Sequence, residues 1–200
     1  LGEWVVAEGA VYDMWDEQRH VVDELPPLRR AWVGVDYGTS NPFAALLVGL
    51  GDDDRLYVAG EWRHDARAAH RQLTDAQYSA RLRGWLAERQ AVPEWTFVDP
   101  SAASFITQLW TDGHPGVARA NNDVLDGIRS VATALDSGLL RVHRSCAGLL
   151  DELPGYAWSE DAAEKGEDKP IKRDDHSADA LRYVIHSTAH EWRHLIAQQP

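Results

Sequence analysis

The chain has 200 residues, 44% of them hydrophobic, enough for one substantial core but not comfortably for two domains. Its only cysteine, Cys146, excludes an internal disulfide and a cysteine-built zinc site and suits a reducing compartment. A net charge of −12 speaks against a free-standing DNA binder, because phosphate affinity rests on Lys and Arg releasing counterions; it leaves room for a nuclease, whose clustered carboxylates hold divalent cations before a phosphate arrives.

Residues 1–30 show no sustained periodicity and end in Leu25-Pro26-Pro27-Leu28, so they read as an extended lead-in packed by Trp4, Tyr12 and Trp15. The chain opens at Leu1, which points to a domain within a longer polypeptide, and the folded domain is expected over 31–200. The apolar run 31–36 ends in Asp36, and Gly38-Thr39-Ser40-Asn41-Pro42 turns it into a second run, 43–50. That run, the longest in the chain, is far below the roughly 20 residues of a membrane span. A turn at Gly51-Asp52-Asp53-Asp54 leads to a third run, 55–62, and together the three predict an antiparallel meander.

The period then changes: Tyr78, Leu82, Trp85 and Leu86 recur at helical spacing. A fourth strand, 95–98, ends at Asp99-Pro100-Ser101, followed by a helix over 102–110. Further on come a helix at 126–135, a short strand at 139–142, a charged solvated loop at 159–175 and a last helix over 177–190. A meander followed by strands alternating with helices predicts an α/β fold, a mixed central β-sheet flanked by α-helices.

Asp36 closes a strand that should be central, where a carboxylate is costly unless paired or bound to a cation. Asp99 ends another strand, and ligand sites in open α/β sheets gather at the carboxyl ends of strands. Asp179 lies on the last helix, with Asp175 and His176 one turn earlier on its face. An aspartate after a strand is most often a turn residue or helix cap, so spacing by itself does not decide among these readings.

The segments Gly2-Glu3-Trp4 with Ala7-Glu8-Gly9-Ala10-Val11-Tyr12, Val33-Gly34-Val35-Asp36-Tyr37-Gly38, Val98-Asp99-Pro100-Ser101-Ala102-Ala103-Ser104, Asn122 with Val124-Leu125-Asp126-Gly127-Ile128, Glu152 with Tyr156 and Trp158, and Lys172 with Asp175-His176-Ser177-Ala178-Asp179-Ala180-Leu181-Arg182-Tyr183 occur in one order. In that order they resemble the carboxy-terminal nuclease domain of bacteriophage or prophage terminase large subunits. The resemblance implies a ribonuclease H-like fold and a divalent-metal-dependent endodeoxyribonuclease that cuts concatemeric double-stranded DNA during viral genome packaging. By position it puts Asp36, Asp99 and Asp179 on the family's metal-holding catalytic acids, with two Mg²⁺ or Mn²⁺ ions, and His176 beside them as an assisting group. It further implies a host-cytoplasmic, soluble protein whose full length carries an ATPase domain and meets a portal protein and a small terminase subunit, while the isolated domain is monomeric and off the membrane. No Gly-x-x-x-x-Gly-Lys-Ser/Thr segment is present, so the motor would lie outside this chain. Lys165, Lys169, Lys172 and Arg173 form the basic cluster of the acidic loop and are candidate DNA-phosphate contacts, beside the plain reading of a solvated loop.

Three other readings compete. Val35-Asp36-Tyr37-Gly38-Thr39-Ser40 also resembles the first phosphate loop of sugar kinases and actin-like ATPases, a phosphotransferase reading that needs a second glycine-rich loop this chain lacks. His190-Glu191-Trp192-Arg193-His194 is a literal His-Glu-x-x-His, which reads as a chance match because only six residues follow it. Nine tryptophans allow a non-catalytic docking module for the packaging motor, although most are better placed in a core.

Overall fold

The computed structural model describes residues 9–38, 41–163, 166 and 168–198. Helix α1 (Glu17–His20) and strand β1 (Val21–Val22) precede the meander β2 (Leu28–Asp36), β3 (Phe43–Gly51) and β4 (Leu56–His64). Next come α2 (Asp75–Glu88), β5 (Trp95–Val98), α3 (Ala103–Thr111), β6 (Val117–Arg119), α4 (Val124–Asp136) and β7 (Leu140–His143). The chain closes with α5 (Ala147–Glu152), α6 (Glu160–Ala163), α7 (His176–Ser187) and α8 (Ala189–Trp192).

Seven strands form one mixed sheet in the order β1-β7-β4-β3-β2-β5-β6. The meander is antiparallel, as its turns predict, and β5, β6, β7 and β1 add in parallel at its two sides. Strand β3, buried on both faces throughout, is the centre. Its alternate residues divide between two cores: Ala44, Leu46 and Val48 pack with α4, α5 and α7, whereas Phe43, Ala45 and Leu47 pack with α2 and α3. The result is helices on both faces of the sheet.

Two stretches differ from expectation. Described residues 9–30, read as an extended lead-in, carry α1 and β1, and β1 pairs with β7 at the sheet edge. Of the three aromatics expected to pack the lead-in, Tyr12 and Trp15 are buried, Trp15 stacking on His20 with ring centroids 5.2 Å apart, and Trp4 lies outside the described residues. A strand of two residues is too short to show alternation, and the one-turn α1 too short to show periodicity. Likewise 159–175, read as loop, contains α6 and a bridge between Trp158 and buried Pro170. No described helix is long and apolar enough to cross a membrane.

Candidate active site at the carboxyl edge of the sheet

Strands β2 and β5 run parallel in the register Gly34↔Phe97 and Val35↔Val98, so Asp36 and the residue just past β5, Asp99, end side by side. Alternation then chooses the face: Trp32 belongs to the α7-side core and Val33 and Val35 to the opposite one, which turns Asp36 toward α7; Phe97 and Val98 divide likewise, turning Asp99 the same way. Gly34 lets the helix come close, since a Cβ there would collide with the Ala180 carbonyl. Asp179, one residue before that contact, therefore faces the two strand-end acids.

The three aspartates and His176 line one cavity of about 510 Å³, together with Tyr37, Gly38, Asn41, Pro42, Asp65, Arg67 and residues 172–175. His176 Nδ1 donates to Asp36 Oδ2 at 2.9 Å, and both side chains are about 15% exposed. The hydrogen bond to Asp36 holds the His176 pKa above the ordinary value. Burial raises Asp36, and the neighbouring Asp179 and Asp99 push the same way against the pull of His176. A proton therefore stays in this pair to higher pH than a free histidine would keep it.

Asp179 is held from below by Arg182, whose Nη2 and Nε donate to Oδ1 at 3.0 and 3.2 Å. That guanidinium, 1% exposed, also donates to Asn122 Oδ1 at 3.2 Å and sits over the Tyr183 ring. From the other side the Lys172 ammonium reaches Asp179 Oδ2 at 2.8 Å and Asp175 Oδ2 at 3.3 Å. Burial opposes the charge on Lys172, but the two carboxylates more than offset it and its pKa is raised. Tyr183 is raised too, first by burial and then by Asp179, Asp36 and Asp99.

The N-terminus of α7 is itself anchored. Glu152, buried at the end of α5, accepts from the amides of Ser177 and Ala178 at 2.7 and 2.9 Å and pairs with Arg63 on β4. Two otherwise orphaned helix amides gain an acceptor this way, and a carboxylate there complements the helix dipole. Burial pushes the Glu152 carboxyl up, with Arg63 and the two amides opposing.

Of the basic residues expected at the site, Lys172 lies inside the acid cluster and Arg173 on the cavity wall. Lys169 is exposed and does not line the cavity, its carbonyl accepting from Ser159 N; Lys165 lies outside the described residues. Asp65, Asp175, Arg182, Arg67 and Glu152 were not singled out as site residues from sequence. Asp65 carries the same signal as Asp36 and Asp99, an acid directly after a strand, but the third run was read as ending at residue 62 rather than His64. The His-Glu-x-x-His stretch is no metal centre: α8 ends at Trp192, His190 is 74% exposed against Glu191, and Glu191 is held by Arg30.

Among the described residues no three His, Cys, Asp or Glu side chains are drawn close enough to form a ready-made metal centre. The donor set nevertheless suits a hard divalent cation. It is all carboxylate oxygen, it destabilises its own charge at Asp36, and it already draws a cation, the Lys172 ammonium, between two of its members.

The large terminase subunit of Escherichia phage T5 is 29% identical over 198 residues, which cover 92% of this chain and 43% of that protein. The structure of a large terminase from a thermophilic bacteriophage superposes with a TM-score of 0.85 at 42% identity, covering 94% of this chain and 48% of the other. The chain is a relative of the phage large terminases. It spans about half the length of these two relatives. Stand-alone large-terminase nuclease structures match nearly end to end: that of thermophilic phage G20c with bound magnesium at 15% identity and TM-score 0.63, covering 92% and 98% of the two chains, and that of bacteriophage SPP1 with bound manganese at 16% and 0.59, covering 86% and 95%. The fold is therefore that of the terminase nuclease domains, ribonuclease H-like. No protein-family model matches the chain.

Proposed function

We propose that this terminase relative is a metal-dependent endonuclease that cuts double-stranded DNA for genome packaging. The observation that carries the reading is the meeting of Asp36, Asp99 and Asp179, contributed by β2, the end of β5 and α7, in one cavity. Asp36, Asp99 and Asp179 would hold two Mg²⁺ or Mn²⁺ ions. Such ions, when bound, supply an activated water and a charge that stabilises the leaving oxygen of a phosphodiester.

The chain's own side chains have distinct parts in this scheme. His176 fixes the orientation of the Asp36 carboxylate and is the nearest group able to hold a proton there. Arg182 locks Asp179 from the buried side, leaving Oδ2 toward the cavity. Lys172 neutralises Asp179 and Asp175, and a divalent ion drawn to these acids competes with it. In the full-length protein an ATPase domain, portal and small subunit would be the partners, consistent with the half of each relative that this chain does not span.

The experiment is plasmid nicking with Mn²⁺, Mg²⁺ or chelator. Wild-type chain should nick with either metal and not with chelator, and Asp36→Asn should lose nicking while keeping the wild-type melting temperature. Nicking by Asp36→Asn at the wild-type rate would overturn the assignment.

A further inference from the structure

The segment that joins β4 to α2 was silent in the sequence, yet two of its residues, Asp65 and Arg67, line the cavity. Residues 65–71 are a pinned turn. Asp65 Oδ1 accepts from the amides of Arg67 and Ala68 at 2.8 and 3.2 Å, and its carbonyl accepts from Ala69 N at 2.9 Å. Arg71 N closes onto the Ala66 carbonyl at 3.0 Å, and His64 Nε2 donates to the Arg71 carbonyl at 2.9 Å. His70, at φ 49°, makes the reversal. Ala66 and Leu73 are buried and anchor the two ends, so Arg67, His70 and Arg71 are carried outward on backbone that is already ordered.

The charges around this turn are unequal. Asp36, Asp65, Asp99, Asp174, Asp175 and Asp179 all line the cavity, and its Lys172 is engaged by Asp175 and Asp179. An incoming phosphate would be repelled by such a wall at distances inside the roughly 10 Å screening length. Arg67 and Arg71 have no carboxylate within ion-pair distance among the described residues, whereas Arg29 is paired with Asp54, Arg30 with Glu94 and Glu191, and Arg144 with Glu17 and Asp23. Arg173, which lines the same cavity, is 84% exposed, and its ion-pair partner, Asp174, is 3.8 Å away and equally exposed. Exposed guanidinium groups on a hydrogen-bonded turn beside an acidic cavity suit an anion with repeated, evenly spaced charges, for which the guanidinium fork is the best-matched donor.

We infer that the 65–71 turn is a backbone-binding lip: Arg67 and Arg71 each take a phosphate of duplex DNA, together with Arg173, and hold the strand at the aspartate cavity. The ligand's identity rests on the nuclease reading; the contact itself is testable without cleavage. Binding of a fluorescein-labelled duplex is followed by anisotropy with Ca²⁺ replacing Mg²⁺, at a series of salt concentrations. Each phosphate contact contributes about 0.9 to the slope of log affinity against log salt. Arg67→Ala/Arg71→Ala should lower that slope by about 2 and weaken binding at low salt at least tenfold. Arg67→Lys/Arg71→Lys should keep the slope, and Arg129→Ala, on the exposed face of α4, should not change it. An unchanged slope in the double alanine variant, or a wild-type chain with no salt-dependent binding, overturns the lip. If the slope falls as stated but wild-type chain nicks plasmid with neither Mg²⁺ nor Mn²⁺, the lip stands and the nuclease reading falls.

Discussion

Asp175-His176-Ser177-Ala178-Asp179, at the start of α7, and His190-Glu191-Trp192-Arg193-His194, which begins on α8, offer the same kinds of side chain at helical spacing. The fold handles them in opposite ways. In the first, Gly34 admits the helix so closely that Asp179 and His176 are carried down onto two strand-end acids, and Arg182, one turn on, is buried to hold them. In the second, the helix lasts one turn, both histidines are exposed, the glutamate is taken up by Arg30, and the buried residue is the tryptophan between them. A motif becomes a candidate site when burial forces its charges to find each other, and remains a spelling when solvent can satisfy each of them separately.

The contrast predicts that the two stretches fail differently, one in cutting and the other in stability. The largest stability loss should come from the middle of the second: Trp192 is fully buried and its indole N–H donates to the Ile185 carbonyl at 2.9 Å. Trp192→Ala should cost about 3–5 kcal/mol in urea unfolding. A loss under about 1 kcal/mol would mean that the C-terminal turn is not part of the core. Next comes Asp179→Ala, which leaves the buried Arg182 guanidinium without its carboxylate, held by the Asn122 side chain and the Tyr183 ring, and should cost about 3 kcal/mol as well as abolishing plasmid nicking. Asp99→Ala sharpens the point. That half-buried carboxylate makes one local bond, from Ser101 N at 2.9 Å, so its removal should cost about 1 kcal/mol while nicking is lost just as completely. Equal destabilisation by the two alanines would erase the distinction drawn between a locked acid and an open one.

Much of this was legible in the chain. The meander, the β5 strand and the helices at α2, α3, α4 and α7 follow from period and turn chemistry, and Asp36 and Asp99 were visible as charges closing apolar strands. What periodicity could not show was assembly. That β2, β4 and β5 deliver their carboxyl ends to one edge depends on strand order, and Asp65 was missed because β4 runs two residues past its apolar part. Arg182 and Glu152 sat within quoted segments, but a cation that is 1% exposed and a carboxylate that caps a helix from another element are tertiary facts, without any local signature. Lys172 was read as a phosphate contact because the sequence shows it beside Arg173; in the fold the acids reach it first.

The smallest effect belongs to the exposed pair. His190 is 74% exposed and leans on Glu191, while His194 is exposed in the turn beyond α8. His190→Ala/His194→Ala therefore removes no buried contact, and surface changes of this kind fall within about 0.5 kcal/mol. The double variant should unfold with wild-type urea dependence, nick plasmid at the wild-type rate, and carry no less zinc by elemental analysis than wild-type chain purified in the same metal-free buffers. The zinc readout decides the matter, because a chance His-Glu-x-x-His and a real one differ only there: one zinc per wild-type chain, absent from the double variant, would move the metal chemistry of this protein to the face that its folding leaves to water.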